Sequence, residues 1–206
     1  VTGVTRNYDV ALNDSLLVLD PIPGQAVIGM SMVINRGRTV FIADTSVTEL
    51  PQGEDLANIA MESARAVRSL GFSPRVAFLS YSTFGNPMGE RGEKVREAVA
   101  ILDSMGGIDF EYEGDMSADV ALNPSHKLLY PFSRLTGPAN VLVMPAIHAA
   151  SISTKLLESM SRATVIGPML LGLEKPVQIA SLGATAGDIV NLATIAAFDV
   201  DHVHGS

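Results

Sequence analysis

The chain has 206 residues, 47% of them apolar and only 17% charged, which excludes a disordered polypeptide and fits a buried α/β sheet covered on both faces. A net charge of −8 argues against nonspecific binding to nucleic acid or to an anionic membrane, and the absence of cysteine removes disulfides, thiol nucleophiles and cysteine-ligated zinc. No apolar run reaches membrane-spanning length and no signal peptide is visible, so a cytoplasmic location is expected. With no Trp and few aromatics, the core falls to Val, Ile, Leu, Ala and Met.

Strand-like and helix-like segments alternate along the chain, which implies crossover units and a mostly parallel sheet with flanking helices. Residues 26–34 and 39–44, separated by Asn35-Arg36-Gly37-Arg38, are predicted to form a hairpin. A helix follows over about 54–70, with Leu56, Ile59, Ala60, Ala64, Val67 and Leu70 on one face and Gly71 ending it. "RVAFLS" (75–80) reads as a buried strand, and a helix over about 93–105 turns Val95, Ala98, Val99 and Leu102 inward. "FEYEG" is a short strand, "ADVAL" a helical turn, and "NPSHKLLYPFSRLTGP" is expected to cross the surface. "NVLVMP" (140–145) is the next buried strand, feeding a helix with Ile152, Leu156 and Met160 four residues apart. "TVIGPMLLG" and "PVQIAS" are extended, and the last helix runs from about Ala186 to Phe198. Because the chain opens at Val1, it reads as an excised piece, with 201–206 as a disordered tail.

Three stretches could carry chemistry. The loop "SYSTFGNPMGERG" leaves a strand and opens a helix, the usual place for ligands in open α/β sheets. Ser80, Ser82 and Thr83 offer hydroxyls there, Gly85 and Gly89 permit close approach, and Arg91 adds charge; a polar loop with a helix cap explains the same residues. Arg36, Arg38, Arg91 and Lys94 are candidates for a local basic cluster. In "SLGATAGDIV", Ser181 ends a strand and Asp188 begins a helix, but Thr185 and Asp188 also have capping-box spacing, and Ser181 has no base beside it in sequence. His126 and His148 lack metal-ligand spacing, although His148 opens a helix and could face a pocket. Gly167 and Pro168 read as a sharp turn at a sheet edge, able to shape a pocket floor.

Taken in order, "LSYSTFGNP", "GPANVLVMPAIHAASISTKLLE", "TVIGPMLLGLEKPVQI" and "SLGATAGDIVNLATIAA" resemble the phosphate acetyl/butyryltransferase family, from about Gly24 to Ala197. The resemblance implies a two-lobed fold lacking its front segment: 1–75 as the rest of a first lobe, joined by 176–200, and 76–175 as the second. It also implies one acetyl-CoA cleft. Ser80, Ser82, Thr83, Asn86 and Arg91 would come from the first loop, His148, Gly167 and Pro168 from the middle of the chain, and Ser181, Leu182 and Asp188 from its end. Departures from the family pattern bear on chemistry. Leu182 stands where transacetylases carry an arginine, Phe84 and Asn86 stand where they carry lysine and serine, and Pro145-Ala146-Ile147-His148 replaces Pro-Asp-Leu-Asn. A guanidinium in a partly dry site stabilises developing negative charge, and an isobutyl group does not. The cleft is therefore expected to lack a cation and to be catalytically silent, with active acetyl transfer between CoA and phosphate as the alternative.

This pattern, with "TGVTRNYDVAL" and "STFGNP", is similar to the transacetylase-like module fused C-terminally to malic enzymes in bacteria. That likeness implies a regulatory and oligomerisation module with acetyl-CoA as effector. The oxidative decarboxylation of malate to pyruvate, with NADP and Mg or Mn, would belong to an N-terminal part of the same chain. A homo-oligomer is expected, with no nucleic acid and no membrane as partner.

Overall fold

Side chains alternate cleanly along the central strands. Val76 and Phe78 join one apolar cluster while Ala77 and Leu79 join another, as expected of a strand buried on both faces. The computed structural model describes residues 1–87 and 89–203; the side chains of Glu90, Arg91 and residues 200–203 lie outside that description.

In chain order the elements are β1 (Thr2–Gly3), α1 (Tyr8–Leu16), β2 (Ile28–Asn35), β3 (Arg38–Ala43), α2 (Gly53–Ser69) and β4 (Arg75–Leu79). Next come α3 (Glu90–Met105), β5 (Glu111–Met116), α4 (Ala118–Leu122), α5 (His126–Leu129) and β6 (Val141–Val143). The chain closes with α6 (Ile147–Met160), β7 (Thr164–Leu171), β8 (Ile179–Ala180) and α7 (Ala186–Val203). Six strands form one sheet in the order β5-β4-β6-β3-β2-β7. The β3–β6, β4–β6 and β4–β5 pairs are parallel, and β2 runs antiparallel to both β3 and β7. The predicted hairpin is β2–β3, closed by Arg36 at φ 51° and Gly37 at φ 75°, the two left-handed residues of a tight turn matched to strand twist.

Helices α2 and α3 pack with Val76, Phe78, Phe41 and Val143 on one face of the sheet. Ala121 of α4 and Ala150 of α6 pack with Ala77, Leu79, Ile42 and Leu142 on the other. Helix α2 ends as predicted: Gly71 takes φ 87°, and the Phe72 N–H reaches the Val67 carbonyl while the Gly71 N–H reaches Arg68, a Schellman closure.

One sheet holds β2 and β3 together with the strands that follow, and β8 pairs in parallel with β1. Three expectations are corrected. Helix α7 runs to Val203, three residues into the expected tail, with 204–206 outside the described residues. Gly167 and Pro168 are not a turn. They lie inside edge strand β7, where its register with β2 slips between Met30 and Met32, a bulge at which proline costs no ladder bond. Finally, 123–138 is more than a surface crossing, because His126 and Leu135 are fully buried within it.

Candidate functional site

The connections leaving the sheet decide where a crevice opens. After β3 and β4 the chain turns to the α2–α3 face; after β6, which lies between those two strands, it turns to the α6 face. Loops diverging from adjacent parallel strands leave a gap at their C-terminal ends. A cavity of about 830 Å³ fills that gap, walled by Leu50, Pro51 and Gln52 after β3, Leu79, Ser80 and Tyr81 after β4, and Met144, Pro145, Ala146 and His148 after β6. Most of its wall is apolar, and among the described residues Lys94, at the start of α3, is the cation lining it. Helix α6 opens onto this space without a side-chain cap and without an acidic residue in its first turn.

A second cavity, of about 190 Å³, lies on the other side of α6. Its wall is rich in hydroxyls: Ser31, Thr45, Ser151, Thr154 and Ser181, together with Gly167, Pro168, Asp188, Lys155 and Glu158. The eleven predicted site residues therefore do not share one cleft. Ser80 and His148 line the large cavity, whereas Gly167, Pro168, Ser181 and Asp188 line the small one, with the first turns of α6 between them.

The remaining candidates serve other ends. Ser82 is buried at 1% exposure, its hydroxyl donating to the Asp115 carboxylate and lying 2.9 Å from the Ser80 hydroxyl. Asp115, fully buried, also accepts from the Gly85 N–H at 2.9 Å and meets Arg96 at 3.4 Å. Thr83 donates to Ser117 at 3.1 Å, and the Asn86 backbone bonds back to Thr83, closing the loop on itself. Ser82, Thr83 and Asn86 thus shape the loop and line neither cavity. Phe84 packs against Tyr130 and Phe132, with ring centroids 5.2 and 4.8 Å away. The Arg91 side chain lies outside the described residues. Arg36 and Arg38 sit at the hairpin, at the far end of β3 from the large cavity, so they form no cluster with Lys94.

The Ser181–Asp188 turn has the geometry of a capping box. Asp188 accepts from the Thr185 N–H and hydroxyl, both at 2.8 Å, and returns its own N–H to the Thr185 hydroxyl at 3.2 Å. Those bonds, the backbone one foremost, hold the Asp188 carboxyl below the usual carboxylate range. A carboxylate so stabilised is a poor proton acceptor. Leu182 is 56% exposed and lines neither cavity.

Sequence reasoning missed two buried hubs and one cation. Asp44, at 2% exposure, accepts four backbone N–H groups, from Gly29, Ser46, Val47 and Thr48, and so fixes the turn that carries Thr45 into the small cavity. Asp115 is the second hub. The cation is Lys155, which lines the small cavity beside Glu158 and Asp188 and corrects the expectation that no cation reaches Ser181's surroundings. Nothing in the spacing of "SISTKLLE" marks this lysine, because its partners come from β2, β7 and α7. Among the described residues no group of His, Asp and Glu is arranged to hold a metal, and no helix is long and apolar enough to cross a membrane.

Comparison with known proteins agrees with this architecture. The family described as phosphate acetyl/butaryl transferase matches residues 1–197, and the chain belongs to that family. A phosphotransacetylase from Streptococcus pyogenes superposes with a TM-score of 0.90 at 28% identity, over 97% of this chain and 62% of that one. The phosphate acetyltransferase of Bacillus subtilis (strain 168) is 32% identical over 96% of the chain and 61% of its own length. An NADP-dependent malic enzyme of Rhizobium meliloti (strain 1021) is 59% identical over 97% of the chain but only 26% of its own length. The chain spans about a quarter of the length of such malic enzymes and corresponds to their transacetylase-like C-terminal part.

Proposed function

We propose that this chain is a catalytically silent, acetyl-CoA-binding regulatory module of a malic enzyme. The observation that carries the reading is the fate of the Ser181–Asp188 turn. Its carboxylate is engaged in capping α7, Ser181 has no hydrogen-bonded base among the described residues, and Leu182 offers no charge where the family pattern has arginine. The small cavity lies against this turn and the large one across α6, so room for a ligand remains without machinery for acyl transfer. Malate oxidation with NADP and Mg or Mn would occur in the N-terminal part of a longer chain. The module would transmit effector binding to it as a coupling of about 1–3 kcal/mol. The exposed apolar stripe Ile152, Leu156 and Met160 on α6 supports a role in homo-oligomer assembly, and the assembly would work in the cytoplasm.

A second reading, active phosphate acetyltransfer, is favoured by Lys155, whose ammonium shares a cavity with Ser181. Two carboxylates, Glu158 and Asp188, share the same wall and offset its charge. The discriminating experiment measures malate oxidation by the intact protein with and without acetyl-CoA, beside acetyl phosphate formation. The regulatory reading expects a change in the first and no product in the second. Unchanged malate oxidation together with acetyl phosphate turnover would reverse the assignment.

A further inference from the structure

We infer that the large cavity receives the acyl end of a CoA thioester and favours acyl chains of about six carbons over acetyl. This rests on the reading of the site given above. The first part of the argument is charge. A CoA nucleotide carries several phosphate charges, the chain as a whole carries −8, and Lys94 is the cation on this cavity's wall. Drawing several anionic groups into such a space against the one ammonium among its described lining residues is unfavourable, because each unpaired charge loses its hydration. The uncharged arm and the acyl group can enter without that penalty. The nucleotide then stays at the solvent-facing side.

The second part is size and lining. At about 830 Å³ the cavity is near the upper end of small-molecule sites, roughly 300–1,000 Å³. Leu50, Pro51, Leu56, Val95 and Met144 supply apolar wall well beyond what one methyl group can cover. Leu56 and Val95 come from the cores of α2 and α3, each about 1% exposed, so this wall is fixed by the packing of the domain. Each further methylene buried against such a surface is worth ~0.8 kcal/mol, or about fourfold in affinity. The Ile147 N–H at the start of α6 donates to the Glu49 carbonyl at 3.3 Å, and the turn that follows, with no side-chain cap, brings His148 and Ala149 to the cavity wall, where their N–H groups suit a thioester carbonyl. The small cavity, at about 190 Å³ and lined by hydroxyls and charged groups, offers an alkyl chain far less apolar wall.

The test is a calorimetric titration of the intact protein with acetyl-, butanoyl- and hexanoyl-CoA. Affinity is expected to rise with each chain extension, with hexanoyl-CoA at least tenfold tighter than acetyl-CoA. The variant Ala149→Phe, which places a ring in the cavity, is expected to erase that preference. Acetyl-CoA binding with equal or weaker binding of hexanoyl-CoA overturns this inference and leaves the regulatory reading standing. A chain-length gain unaltered by Ala149→Phe also overturns it, because the alkyl group would then lie elsewhere. Failure of all three thioesters to bind removes the regulatory reading, and this inference with it.

Discussion

Two loops in this protein do the same topological job by different physics. The loop after β4, leading to α3, is held by a carboxylate from another strand: Asp115 on β5 is fully buried and gathers Ser82, Gly85 and Arg96. The loop after β8, leading to α7, is held by its own residues, with Thr185 and Asp188 bonding each other at the surface. Buried, long-range bonding makes the first loop part of the core. Local bonding leaves the second able to change sequence without upsetting the fold. Leu182, exposed and in contact with neither cavity, sits in the loop where change is cheap.

The largest way to test this contrast is to remove the buried hub. Asp115→Ala strips a buried ion pair of one partner and leaves Ser82 and Gly85 unsatisfied, so a loss of about 3–5 kcal/mol is expected in urea unfolding. A loss below 1 kcal/mol would mean that the β4 loop is as locally held as the other. Next in size is Gly29→Ala. A β-carbon there would lie 1.8 Å from the Ser46 hydroxyl, pushing the Asp44-anchored turn aside at a cost of about 1–3 kcal/mol. Because Thr45 follows Asp44 into the small cavity, the same variant should weaken ligand binding if that cavity is used.

Thr185→Ala should cost about 1 kcal/mol by removing one helix cap, and no more, since the turn is exposed. Its companion, Asp188→Asn, should act through pH. A carboxyl held low in the folded state adds stability above its unfolded pKa and loses it as pH falls through the folded value, so the variant should flatten the acid side of the stability profile. The smallest expected effect has the opposite sign. Burial, the largest influence, raises the Glu62 carboxyl above its ordinary 4.5, with Arg65 pulling it back in part. Its contribution is present below the unfolded pKa and fades as pH rises through the folded one, so Glu62→Gln should remove a shallow decline in urea midpoint that sets in as pH rises above the ordinary 4.5.

The same contrast explains what could be read from the sequence. Strands 75–80 and 140–145, the hairpin and the helix ending at Gly71 were legible because periodicity and turn residues are local signals. The Thr185–Asp188 box was legible for the same reason. Asp115 and Asp44 were not, because their partners lie up to 33 residues away and no spacing rule connects them. Lys155 escaped for a like reason: its cavity is assembled from five separate segments. Ile152, Leu156 and Met160 show the limit of periodicity. The four-residue steps predict a helix, which α6 is, but not which way the stripe faces, and all three are more than half exposed. His148 and Ser181 fell at the ends of strands as expected. Only the path of α6 between them divided one expected cleft into two cavities.

The most direct test is a single calorimetric titration of acetyl-CoA into the intact protein in phosphate buffer. A silent binding module gives heats that saturate and then stop, because nothing is turned over. Continuing heat after saturation, from acetyl passing to phosphate, would contradict the account, as would no binding heat at all.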